Sequence, residues 1–71
     1  GHLFDVCLTI WEDIGKSPGV RIIAFRSIVG IVKKYPELIS EIESFTQKQY
    51  SETLSPGIRG SFERLKKELK L

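Results

Sequence analysis

Cys7 is the one side chain of this 71-residue chain that is a ready nucleophile, and the sequence places nothing to activate it. A reactive thiolate needs a base or a cation beside it. The single histidine, His2, sits in a Gly1-His2 dipeptide that reads as a scar left by tag removal. Cys7 is flanked by Val6 and Leu8, where a small core side chain is the expected role. One cysteine excludes an internal disulfide and leaves no zinc set, so no metal is expected and a reducing cytoplasm is the expected location. Glu37 and Glu41 share a helix face at i, i+4, with Glu43 close by. Acid–base work requires burial to split two carboxyl pKa values, and this face is expected to be exposed. Gly15 and Gly19 around Ser17-Pro18 do not match the spacing of a phosphate loop, so no cofactor is expected. The chain carries no catalytic constellation and is expected not to be an enzyme.

The elements that would position any site are organised by a duplication. Ser17-Pro18-Gly19-Val20-Arg21 returns as Ser55-Pro56-Gly57-Ile58-Arg59, thirty-eight positions later. Each copy reads as a helix start: serine at the N-cap, proline at the first helical position, then an apolar run. Residues 3–15 form the expected first helix, with Asp5, Thr9, Glu12, Asp13 and Lys16 as its polar stripe and Gly15 as its stop. The second runs from Ser17-Pro18 to about Lys34. Val20, Ala24, Ile28 and Ile31 make one apolar row, Ile22, Phe25, Val29 and Val32 a second, and Arg26, Gly30, Lys33 and Lys34 fill the remaining side. Tyr35-Pro36 breaks the helix, and a third is expected from Pro36 to about Thr53 on an apolar row of Leu38, Ile42 and Phe45. The fourth follows Ser55-Pro56 on the narrow stripe Ile58, Phe62, Leu65 and Leu69. The expected fold is all-α: two stacked antiparallel helical hairpins, residues 3–35 and 36–71, after the dipeptide 1–2. The second helix is greasy on two faces and the fourth on one, as an inner and a terminal element of a stack would be. The chain is therefore expected to be the C-terminal capping part of a longer array. An alternative use for the apolar side of the first helix, around Phe4, Leu8 and Trp11, is a homodimer contact. Met and Asn are absent, a composition that leans towards a thermophile.

Two helices per unit of nearly forty residues, joined by a turn reading Pro-x-Val-Arg, resemble the HEAT-like family of α-solenoid repeats. The residues that carry the resemblance are Asp13, Pro18, Val20, Arg21 and Ala24, with Ile28 and Ile31 following, and Pro56, Ile58, Arg59 and Leu65 in the second unit. Ser51 stands where the first unit has Asp13, and Phe62 where it has Ala24. The resemblance implies a right-handed stack with first helices on the convex side and second helices on the concave side. It also implies that Arg21 and Arg59 are structural, forming a ladder with a turn acid, for which Asp13 is the expected carboxylate.

Charge alternates along the chain: −2 over residues 1–16, +4 over 17–35, −3 over 36–53 and +3 over 54–71. With the layout that the resemblance implies, the concave face is basic. Its candidate partner-binding residues are Arg26, Lys33, Lys34, Arg64 and Lys67, with Ile23 as an apolar spot among them. A net charge of +2 does not by itself point to nucleic acid, and no stretch is long and apolar enough for a membrane span. The leading expectation is a non-catalytic scaffold that binds another protein. Nucleic-acid backbone binding through the basic face and a structural cap of a larger enzyme are the alternatives.

Overall fold

The two serine–proline pairs open the two longest helices of the computed structural model, which describes residues 2–71: α2, Pro18–Lys34, and α5, Pro56–Glu68. Ser17 and Ser55 are extended at their N-caps, and their carbonyls accept the first helical bonds, from the N–H groups of Arg21 at 3.1 Å and Arg59 at 2.7 Å. Both prolines sit where a missing N–H costs nothing. Before α2 lies α1, His2–Glu12; Gly1 lies outside the described residues. Between α2 and α5 come a 3-10 turn at Pro36–Leu38, the short α3 (Ile39–Ile42), a 3-10 turn at Glu43–Thr46, and the short α4 (Lys48–Ser51). Among the described residues every regular element is helical.

Two expected boundaries are corrected. The first helix ends at Glu12, not Gly15, because the Asp13 carboxylate accepts the Gly15 N–H at 3.0 Å and closes a local turn. The single helix expected from Pro36 to Thr53 is broken into four pieces. The hydroxyls of Ser40, Thr46 and Ser51 each donate to the carbonyl three residues back, which favours tight turns over a regular ladder. Gln47 then adopts an extended backbone, φ −70° and ψ 160°, and ends the run. α5 stops at Glu68. Lys70 takes φ 60°, its N–H bonds the Lys67 carbonyl at 2.9 Å, and the Leu71 N–H bonds the Lys66 carbonyl at 3.2 Å. That pair of bonds around a left-handed residue is the Schellman closure, normally made by glycine.

The core is built on three rings from three helices. Trp11 of α1 stacks on Phe62 of α5 at 5.1 Å and meets Phe25 of α2 at 4.7 Å, while Phe25 and Phe62 lie 4.9 Å apart. All three are buried, with Ile28, Val32 and Ile42 around them. Aromatic pairs of this kind each contribute about 0.5–1.5 kcal/mol beyond the area they bury. α1 runs antiparallel to α2: Leu3 and Phe4 share an apolar groove with Ile31 and Tyr35, and Trp11 lies beside Arg21. α5 runs the same way as α2, with Phe62 beside Phe25 and Glu68 ion-paired to Lys33.

The left-handed Lys70 yields the first prediction. A β-carbon at that conformation is strained, and glycine removes the strain. Lys70→Gly is expected to raise stability by about 0.5–1 kcal/mol, read as a higher Tm in thermal unfolding followed by circular dichroism.

Candidate functional site

Two pairs of arginines stand out, and each pair is spaced by the thirty-eight-residue period: Arg21 with Arg59, and Arg26 with Arg64. The first pair is turned back onto backbone carbonyls, Arg21 buried and Arg59 exposed. Arg21, in the first turn of α2, is fully buried at 0 % exposure. Its Nε donates to the Trp11 carbonyl at 3.0 Å, Nη1 to the Thr53 hydroxyl at 2.9 Å, and Nη2 to the Tyr50 carbonyl at 2.8 Å. Its guanidinium also lies 4.7 Å from the centre of the Trp11 ring, a cation–π contact strengthened by the absence of water. Arg59 repeats the arrangement at the start of α5. Its Nε donates to the Ser51 carbonyl at 3.3 Å, and Nη2 to the carbonyls of Glu52 at 3.0 Å and Leu54 at 3.3 Å.

The same physics serves both. A helix ends with unpaired carbonyls and a partial negative charge. α1 has no basic residue in its own last turn, and Arg21 supplies the cation from the next helix. Arg59 does so for the end of α4. The expected direct pair of Arg21 with Asp13 is not formed. Asp13 is exposed, accepts the Gly15 N–H, and pairs with Lys16 at 4.0 Å. Carbonyl oxygens and one hydroxyl take the place of the carboxylate. Burial pushes the Arg21 pKa down from its ordinary value, and the nearby Asp13 charge works against that shift. The guanidinium remains protonated at neutral pH.

The second pair faces out. Arg26 of α2 and Arg64 of α5 line one open groove of about 220 Å³, together with Ser61, Leu65 and Glu68. Both arginines are exposed, and among the described residues neither is in an ion pair. Arg64 donates to the Ser61 hydroxyl at 3.4 Å. Of the other residues singled out in the sequence, Ile23 is 62 % exposed on the same side of α2. Lys34 and Lys67 are exposed at the C-terminal ends of α2 and α5. Lys33 is not a free cation, because it bridges to Glu68 across the two helices. The period itself relates Arg26 to Arg64, a signal present in the sequence that the helix-by-helix charge count passes over.

The homodimer surface expected from Phe4, Leu8 and Trp11 is corrected. Phe4 and Trp11 are core residues at 5 % and 0 % exposure, and Leu8 is half-buried against them. The side of α1 facing them is closed by α2 and α5. The apolar side chains that α1 does expose are Leu3 and Val6. Cys7 is buried in the core, and His2 lies at the start of α1. Among the described residues no three metal-ligating side chains gather, and no helix is long and apolar enough to cross a membrane.

No family model matches the chain, and no similar curated protein or solved structure was found.

The carbonyl-capped arginine generates a prediction opposite to that of a carboxylate ladder. Arg21→Ala leaves buried acceptors unpaired and a cavity beside Trp11, and is expected to cost about 3–5 kcal/mol. Asp13→Ala is expected to cost under about 1 kcal/mol, since the pair it forms is exposed. A double-mutant cycle by urea denaturation is expected to give a small Asp13–Arg21 coupling; a coupling of several kcal/mol would show a direct pair.

Proposed function

We propose that this chain is a non-catalytic protein-interaction scaffold, built as two stacked HEAT-like helical hairpins, whose α2–α5 face takes an acidic surface of a partner protein. The observation that carries this reading is the groove between α2 and α5, lined by two arginines that, among the described residues, are in no ion pair. The antiparallel α1–α2 pair, the parallel course of α2 and α5, and the arginine after each Ser-Pro turn support the hairpin reading. The broken segment Pro36–Ser51 takes the place of the second hairpin's first helix, a departure from a regular unit. Ile23 supplies an apolar contact beside the basic groove, and exposed aromatic or aliphatic spots within a charged rim are what protein partners use.

Glu68 favours protein over nucleic acid as the ligand. It lines the same groove as the two arginines, where a phosphate chain would meet its carboxylate. A protein partner can offer single carboxylates to the arginines and leave Glu68 clear, which a continuous phosphate chain cannot. Backbone binding to nucleic acid is accordingly the second reading, carried only by the net positive charge of α2 and α5.

The experiment is a pair of anisotropy titrations, one with a fluorescein-labelled Glu/Asp-rich peptide and one with a labelled oligonucleotide. The peptide is expected to bind, and Arg26→Glu with Arg64→Glu is expected to abolish that binding. Stability is expected to change little, since exposed substitutions generally stay within about 0.5 kcal/mol. Tighter binding of the oligonucleotide, with affinity falling steeply between about 50 and 200 mM salt, would overturn the protein reading in favour of the nucleic-acid one.

A further inference from the structure

The exposed arginine pair has neighbours that the fold does not explain. Gly30 lies one helical turn beyond Arg26, and Gly60 one turn before Arg64, both in helix interiors and both exposed. Neither has a positive φ. A β-carbon built on either would meet no atom within 4 Å. Glycine at such a position is therefore neither a turn residue nor a packing necessity, and it weakens a helix relative to alanine. Neither glycine lines the groove itself; each leaves a bare, exposed stretch of helix one turn from its arginine. Ser61, which does line the groove, is small as well.

A bare helix surface lets another backbone come close, and that is what two arginines need in order to reach one acceptor between them. The guanidinium is a planar fork matched to a carboxylate. Neighbouring packed helices lie about 8–10 Å apart, a separation that two arginine side chains can close from opposite sides. Lys33 holds Glu68 at the groove's end, which keeps that carboxylate from occupying both arginines.

We propose that Arg26 and Arg64 form a two-sided clamp on one carboxylate side chain of an acidic protein segment, which crosses α2 and α5 over Gly30 and Gly60. This rests on the protein-scaffold reading above and adds to it a specific geometry. General attraction between a basic face and an acidic partner requires only positive charge. The clamp requires the guanidinium fork and the missing β-carbons.

The test uses the 71-residue chain and the same fluorescein-labelled Glu/Asp-rich peptide. Arg26→Lys with Arg64→Lys keeps the charge and removes the fork, and is expected to weaken binding on the order of tenfold. Gly30→Ala with Gly60→Ala is expected to raise Tm by roughly 5–10 °C and yet to weaken binding several-fold. Two outcomes overturn the clamp alone: lysine variants that bind as the wild type does, or alanine variants that gain stability with no loss of affinity. Either leaves the broader basic-face reading standing. Failure of the unaltered chain to bind the peptide overturns both, as does tighter binding of an oligonucleotide of equal charge.

Discussion

A guanidinium buried from solvent and bonded to no carboxylate is the constraint from which this structure follows. Such a cation is tolerable only if each of its nitrogens meets an acceptor. Arg21 finds them in the Trp11 carbonyl at the end of α1, and in the Tyr50 carbonyl and Thr53 hydroxyl far along the chain. Three segments must therefore be held at fixed positions around one side chain. The Trp11 ring, which covers the cation, is itself fixed by donating its Nε1–H to the Phe45 carbonyl at 2.7 Å. That donor and that cation both draw on carbonyls of the segment between α2 and α5.

The broken course of residues 36–53 makes sense in this light. In a continuous helix the carbonyl of Phe45 would be committed to the N–H group four residues on. Here it is free to accept from Trp11 of α1, while the hydroxyls of Ser40, Thr46 and Ser51 tighten the turns of the segment. Local irregularity is offset by long-range bonds, and among the described residues no buried side-chain polar atom is left without a partner. The three rings then lock the same elements from the apolar side. For a chain this short, which buries only about 60 % of its unfolded surface, a polar node and an aromatic cluster sharing Trp11 concentrate the available stability in one place.

Much of the architecture is legible in the residues themselves. The starts of α2 and α5 follow from Ser17-Pro18 and Ser55-Pro56, and the break after α2 follows from Tyr35-Pro36. The all-helical content follows from the period of the apolar rows. What periodicity cannot supply is the fate of individual carbonyls. Apolar residues from Leu38 to Phe45 suit a helix, and the competition that breaks it comes from hydroxyls and from donors distant in sequence. Asp13 was expected to face Arg21 because the resemblance to HEAT-like repeats implies a ladder of turn acid and arginine. Its own turn claims it instead, and the backbone does its work. The expected role of Phe4 and Trp11 at a surface failed for a similar reason: which greasy side of α1 faces inward depends on where α5 lies. On the outward face, Arg26 and Arg64 are readable as charges, but their meeting in one groove depends on α2 and α5 running side by side.

One period thus sets two pairs of arginines, one turned to backbone carbonyls and one to solvent. Arg21, the buried member of the first pair, ties α2 to the end of α1 and to the segment before α5, so it is where the account is most exposed. Native-state hydrogen exchange at the Arg21 Nε–H, followed by ¹⁵N NMR, tests it most directly. A guanidinium buried against three acceptors is expected to exchange only when the whole chain unfolds, with protection matching the global stability. Exchange at the rate of the exposed Arg26 would contradict it.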